Sequence, residues 1–271
     1  MAPIDLATLS AEPPNQLTRE QIKLETDGYE AELADLADLL FFAHEHALLI
    51  VFQGLDTSGK DGAIRKVLDF SNAQSVRVES FKAPTELERA HDFLWRVHAK
   101  APARGEIVLF NRSHYEDVLV TRVHQLVPEN VIEPRFAAIN DFERLLMANG
   151  TVILKFYLHI TREEQRARLL ERQEDVEKAW KLSVGDWQER EHWDAYLRAY
   201  QAAIERCSPD AAPWHIVPAN QKWYRNYVVL KTIVEALRPH RAGWMQSLAT
   251  LGQTRAKELR EYFEKKGGKV E

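Results

Sequence analysis

Gly54-Leu55-Asp56-Thr57-Ser58-Gly59-Lys60-Asp61-Gly62 is the stretch on which the fold turns. An apolar run, Leu48 to Gln53, leads into it, with the length and position of a buried parallel strand. A helical pattern, Ala63 to Phe70, leads out of it. Strand, glycine-bearing loop, lysine and helix in that order form the context of a Walker A phosphate cradle. The glycines let the backbone fold around an anion with several N–H groups turned inward. The start of the helix adds partial positive charge. Lys60 adds a full charge on a flexible stem. Gly54, Thr57, Ser58, Gly59, Lys60, Asp61 and Gly62 are therefore the candidate phosphate-binding residues of the loop.

The loop departs from the common pattern at Asp61, where Ser or Thr normally offers a hydroxyl to Mg²⁺. A second acid, Asp56, lies inside the loop itself. Carboxylates beside a phosphate repel it unless a cation lies between them. Mg²⁺, with Mn²⁺ as the alternative, takes carboxylate oxygens and water and resolves the conflict. Asp56 is the favoured metal-organising acid.

Working outward, strand-like runs alternate with helical segments. The strand candidates are Val76 to Phe81, Ile107 to Asn111, Val152 to His159 and Trp214 to Val217. Such alternation predicts an α/β fold, a parallel sheet wrapped by helices. Residues 1–17 lack periodicity and read as an arm. Thr18 and Gln21 form a capping-box arrangement that starts a helix. The main domain spans 18–240, and 241–271 reads as a helical tail ending at a frayed Gly267-Gly268. Thr161 to Arg206 is long, charged and helical in pattern, with a break expected near Ser183 and Gly185. Its part from about 161 to 190 is placed to act as a mobile lid.

A second constellation is Phe110-Asn111-Arg112-Ser113-His114-Tyr115-Glu116-Asp117, a strand end followed by a polar cluster. Ligands in open α/β sheets gather at the carboxyl ends of strands. Arg112 offers a planar fork to a phosphate, although a salt-bridged arginine in a surface loop explains this stretch equally well. Glu116 and Asp117 supply the acid that Asn111 lacks. On the helical segment, Arg162 and Arg166 are four apart, as are Arg168 and Arg172, so each pair shares a face. Lys178, Lys181 and Arg190 follow. Arg65, Lys66, Lys82, Arg122 and Arg135 are further cations in segments bordering the site.

The bulk properties narrow the ligand. The chain has 271 residues, 45% of them hydrophobic, which suits one sizeable domain. A net charge of −5 argues against general nucleic-acid binding, so a polyanion needs a local basic patch. The single cysteine, Cys207, excludes an internal disulfide framework and fits a reducing cytoplasm. No charged-then-apolar leader is evident. The most apolar stretch, Leu39 to Phe52, is interrupted by His44, Glu45 and His46 and is too short to span a bilayer.

Taken in order, five motifs resemble the polyphosphate kinase 2 family: the loop 54–62, Phe-Asn-Arg-Ser-His-Tyr-Glu-Asp at 110–117, Lys-Ala-Trp-Lys-Leu-Ser at 178–183, Trp-Asp-Ala-Tyr at 193–196 and Lys-Trp-Tyr-Arg-Asn at 222–226. Most of that family reads Phe-Asp-Arg-Ser-Trp-Tyr-Asn in the second motif. Here Asn111 replaces the Asp and Glu116 the Asn, a swap that resembles the class III branch, whose members are implied to phosphorylate both AMP and ADP. The resemblance implies a thymidylate-kinase-like P-loop kinase fold with a helical lid, Mg²⁺ dependence and homo-oligomers, dimers or tetramers. It moves the second metal-ligand expectation to Glu116. It places phosphate-binding cations at Lys60, Arg112, Arg166, Arg172 and Lys181. Of the residues bordering the site, Arg65, Lys66 and Arg122 are further phosphate-binding candidates, and Lys82, Asp117 and Arg135 are the nucleotide-binding candidates. Asp56, Lys60, Arg112 and Glu116 are the expected catalytic group. The implied reaction moves phosphoryl groups from inorganic polyphosphate to AMP or ADP, yielding ADP or ATP. An ATP-dependent nucleoside or nucleotide kinase, and a non-catalytic nucleotide-binding module, are the competing readings.

Overall fold

The computed structural model describes residues 4–174 and 184–265. Five strands form one parallel sheet: β1 Ala47–Gln53, β2 Val76–Ser80, β3 Ile107–Asn111, β4 Thr151–His159 and β5 Trp214–Pro218. Their order across the sheet is β2-β3-β1-β4-β5. All four pairings are parallel, with Phe52 level with Asn111 on one side and with Phe156 on the other. Every residue of β1 is buried, which is why it reads as an unbroken apolar run rather than an alternating one. β2 is at an edge and stays half-exposed.

The helices are α1 Arg19–Ala43, α2 Lys60–Leu68, the single turns α3 Glu86–Arg89, α4 Trp95–His98 and α5 Val120–Val123, then α6 Glu129–Ala148, α7 Arg162–Glu174, α8 Val184–Glu191, α9 Trp193–Arg206, α10 Lys222–Leu237 and α11 Arg241–Lys265. Thr18 and Gln21 close the expected capping box on α1. α10 lies along β4 and β5 and packs on α1 and α2, while α6 packs on β4. Phe52 and Phe156 stack across the central strands, centroids 5.4 Å apart.

Three expectations need correction. The helix after the loop 54–62 starts at Lys60, three residues before Ala63, so the lysine is helical. The strand from Val76 ends at Ser80, paired with Asn111, the last residue of β3; the Phe81 N–H still reaches the Asn111 carbonyl at 3.1 Å. Gly185 is not itself a break but the second residue of α8, and His192 separates α8 from α9. Ser183 and Gly267-Gly268 lie outside the described residues.

The arm from residue 4 to 17 forms no helix or strand, yet it is fastened to the body. Leu6 and Ala11 are buried, and the Leu9 carbonyl stands 3.1 Å from His159 Nε2 at the end of β4. One buried polar cluster lies beneath the sheet. Lys155 Nζ donates to Glu143 Oε2 at 2.5 Å and to the Cys207 carbonyl at 2.7 Å, and Tyr115 donates to Glu143 Oε1 at 2.7 Å. His114 Nε2 stands 3.3 Å from the same Glu143 oxygen. His114 and Tyr115 belong to the 3₁₀ turn His114–Asp117, so the cluster anchors the turn that carries Glu116.

Candidate active site

The loop 54–62 sits at the carboxyl end of β1, in the middle of the sheet, where open α/β folds gather ligands. Gly59 precedes α2 with φ of 97° and no side-chain cap, so the first N–H groups of α2 lack a capping oxygen. Thr57 holds a φ of 64°, a left-handed conformation that costs a β-branched residue energy. The hydroxyls Thr57 Oγ1 and Ser58 Oγ are buried without a partner among the described residues. Lys60 Nζ donates to the carbonyls of Gly54 at 2.8 Å and Leu55 at 3.2 Å. Burial pushes the Lys60 pKa down, with Asp56 pulling the other way.

The second motif meets the loop from β3. Asn111 Nδ2 donates to Asp61 Oδ1 at 2.8 Å. Arg112 has φ of 61° and donates from Nη2 to Asp56 Oδ1 at 2.7 Å and from Nη1 to Glu116 Oε2 at 3.5 Å. Burial disfavours the Arg112 charge, but Glu116 and Asp56 outweigh it and hold its pKa above the ordinary value. Burial raises the Glu116 pKa against the pull of Arg112 and Lys60. Gln53 Nε2 donates to Ser113 Oγ at 3.1 Å, and Gly54 N donates to Tyr200 Oη at 3.2 Å, tying loop, second motif and α9 together.

Two guanidinium groups that sequence reasoning did not assign lie against the loop. Arg168 of α7 donates to the Thr57 carbonyl at 2.9 Å and to the Ala219 carbonyl at 2.7 Å. Arg225 of α10 is 3% exposed and lies against the loop. A Cβ at Gly59 would collide with its Nη1, and one at Gly62 would sit 2.9 Å from its Nη2. Burial, then the neighbouring Arg168, pushes the Arg225 pKa down to about 10. Its hydrogen-bond acceptor is Asn226 Oδ1, at 2.8 Å from Nη2, so among the described residues no carboxylate bond offsets its charge.

Two cavities open on this centre. One, of about 590 Å³, is lined by the loop with Arg65, Arg112, Arg168, Arg172, Lys222 and Arg225, and holds Asp56, Asp61 and Glu171 as its acids. The other, of about 660 Å³, mixes apolar Phe81, Pro84, Val120 and Leu126 with Lys82, Arg96, Asp117 and Thr121. Asp56 and Arg112 line both.

The other cations expected at the site divide. Lys82 lines the second cavity. Arg135 stands behind it, donating to the Asp117 carbonyl at 2.7 Å. Arg172 pairs with Asp186 of α8 at 3.1 Å. Lys66 turns away to Glu30, at 2.5 Å, and sits over the Phe70 ring. Arg122 pairs with Glu129 and Glu133. Arg166 is exposed on α7 and lines neither cavity. Lys181 lies outside the described residues. A helical wheel separates Arg166 from Arg168: the buried positions Gln165, Arg168 and Leu169 share a face with Arg172, and Arg166 points off it. No helix among the described residues is long and apolar enough to cross a membrane.

Residues 16–242 match the family described as Polyphosphate kinase 2. An AMP/ADP-polyphosphate phosphotransferase of Meiothermus ruber is 52% identical over 205 residues, covering 76% of this chain and 77% of its own. An ADP-polyphosphate phosphotransferase of Rhodopseudomonas palustris is 40% identical over 240 residues, covering 84% and 80%. The crystal structure of polyphosphate kinase 2 from Arthrobacter aurescens superposes with a TM-score of 0.84 at 41% identity, over 88% of this chain and 87% of that one.

Proposed function

The chain belongs to the polyphosphate kinase 2 family, and from that premise we propose that it transfers phosphoryl groups from inorganic polyphosphate to AMP and ADP. The observation that carries the reading is the pair of unlike cavities sharing Asp56 and Arg112. The first has basic side chains from α2, α7 and α10 around a phosphate loop, which suits a donor charged at every unit. The second offers an apolar wall and a few polar groups, which suits a base and sugar. The transferring phosphorus then lies where the two meet.

The nucleophile is a phosphate oxygen of AMP or ADP. It is largely ionised at neutral pH, since a phosphate monoester loses its second proton near pH ~6. No strong general base is required. The oxygen attacks the terminal phosphorus of the chain, a new P–O bond forms, the bridging P–O bond breaks, and polyphosphate leaves one unit shorter. Lys60 and Arg112 bracket the transferring group, and Arg168, Arg172 and Arg225 hold the donor's remaining charge. Gly54, Gly59 and Gly62 keep the backbone close to it. The work is positioning and charge neutralisation.

The donor set fits a hard divalent cation. Asp56 and Glu116 both face Arg112, and in the same loop as Asp56 the Thr57 and Ser58 hydroxyls are buried without partners among the described residues. Asp56 and Glu116 would hold Mg²⁺ or Mn²⁺. When bound, the ion withdraws charge from the phosphate oxygens. Within the segment 161–190, α7 and α8 serve as a lid over the site of a cytoplasmic, homo-oligomeric enzyme. Lys82 and Asp117 contact the nucleotide, with Arg135 supporting Asp117.

The test is formation of ATP from ADP, and of ADP from AMP, with purified protein, Mg²⁺ and polyphosphate in the absence of any nucleoside triphosphate. Phosphorus NMR follows both donor and product. Turnover that requires ATP as donor would instead select an ATP-dependent kinase, and no turnover with either donor would select a binding module.

A further inference from the structure

Asn220 occupies the turn between β5 and α10, and all four of its polar groups are engaged. Its N–H donates to the Ala11 carbonyl at 3.1 Å. Its Nδ2 donates to Glu12 Oε1 at 2.6 Å. Its Oδ1 accepts from Thr161 N at 3.1 Å. Its carbonyl accepts from Arg168 Nη2 at 2.8 Å.

Each partner leads to a different part of the basic cavity. Thr161 caps α7, its Oγ1 accepting from Glu164 N at 3.1 Å. α7 then sends Gln165 Nε2 to the Asp56 carbonyl at 3.1 Å and Arg168 Nη1 to the Thr57 carbonyl at 2.9 Å. Two residues beyond Asn220, α10 begins, and it carries Lys222 and Arg225 into the same cavity. Ala11 and Glu12 belong to the amino-terminal arm, whose Leu9 carbonyl is also held by His159. One side chain thus joins the arm, the base of the lid helix and the start of the helix that carries Arg225.

We propose that Asn220 is a positioning residue for the polyphosphate donor, and that the arm, through Glu12, is part of the donor-binding apparatus. Held by Glu12 on one side, the Asn220 amide keeps its oxygen on the α7 cap and fixes the angle at which Arg168 meets the loop. An amide is the group the position requires. It donates to a carboxylate and accepts from a backbone N–H at once, which neither a carboxylate nor an aliphatic side chain does. The nucleotide cavity is lined by neither α7 nor α10, so the effect falls on the donor.

The proposal rests on the reading that the basic cavity takes polyphosphate. It is tested by steady-state kinetics of N220A, N220D, E12Q and the reciprocal pair E12Q/N220D in the full chain, each with a thermal melt. Two ordinary hydrogen bonds correspond to about a five- to thirtyfold effect. N220A raises KM for polyphosphate by that factor, leaves KM for ADP within about twofold and changes kcat little. N220D sets two carboxylates against each other and behaves likewise. E12Q keeps an acceptor for the amide but not its charge, and raises KM for polyphosphate by about two- to fourfold. E12Q/N220D reverses the sense of the bond while keeping the pair's net charge, and restores the polyphosphate KM to within about twofold. A lowered melting temperature with unchanged polyphosphate KM, or no rescue by the reciprocal pair, would overturn the positioning role while the reaction itself stands. No polyphosphate-dependent turnover by the wild-type protein would overturn both.

Discussion

Arg112 Nη2 and Asp56 Oδ1 stand 2.7 Å apart, and these two residues belong to both cavities of the site. A cation expected to hold the transferring phosphate and an acid suited to a metal ion are thus held together. Arg112 also reaches Glu116 through its second nitrogen. Lysine keeps the charge and loses the planar fork. Arg112→Lys should lower kcat/KM by about a hundredfold, with the loss mainly in kcat, because the fork acts where charge develops. Parallel titrations of polyphosphate and ADP check the split.

Arg225 presents a conflict between stability and binding. Its guanidinium is buried beside Arg168, and no carboxylate among the described residues bonds to it. Removing a buried uncompensated charge of matching shape stabilises a fold. Arg225→Met should therefore raise the ligand-free melting temperature by about 2–4 °C, while KM for polyphosphate rises at least about tenfold. A melt without ligand and a polyphosphate titration measure the two opposing effects.

Asp117 gives a pH signature with a fixed sign. Burial raises its pKa from 3.8 to about 6, against the opposing pull of Arg135 and Arg96. The folded state thus holds its proton more tightly than the unfolded one. Stability from this group is fully present below the unfolded pKa and is lost as pH rises through about 6. Between pH ~4 and pH ~7, Asp117→Asn should gain on wild type by about 2–3 kcal/mol. Urea melts of both proteins across that range check it, and the gap should widen towards higher pH.

Glu143 and Lys155 are both fully buried, at 2.5 Å. Glu143→Ala strands an ammonium group in the core and should cost about 3–5 kcal/mol. Adding Lys155→Met should recover most of that loss, since neither charge then remains. Because Tyr115 and His114 also rest on Glu143, the single variant should raise the Mg²⁺ concentration needed for half-maximal rate through displacement of Glu116. Denaturant melts and a metal titration report the two effects separately.

What the sequence disclosed follows the range of the interactions involved. The strand before Gly54, the lysine after Gly59 and the Thr18 capping box are local, so their residues sit within a few positions of one another. The five strands were legible because buried parallel strands are apolar runs with few alternatives. Arg168 and Arg225 were not assigned, because they reach the loop from residues more than a hundred positions away. α7 also mixes acids with bases, so charge alone does not show which arginine faces inward. Burial of Gln165 and Leu169 reveals that face, and it favours Arg168 over Arg166. Lys66 read as a phosphate ligand for the opposite reason: it is close in sequence to the loop, but Glu30 of α1 claims it. Asn220 carries no charge and no motif, and its contacts with the arm and the start of α7, at the head of α10, exist only in three dimensions.

The most direct test is a crystal structure with a non-hydrolysable triphosphate chain and Mn²⁺ diffused into the protein, read by difference and anomalous density. The chain should lie among Lys60, Arg168 and Arg225, with the anomalous peak between it and the carboxylates of Asp56 and Glu116. Density for the chain in another pocket, with the loop at 54–62 left empty, would contradict the donor assignment.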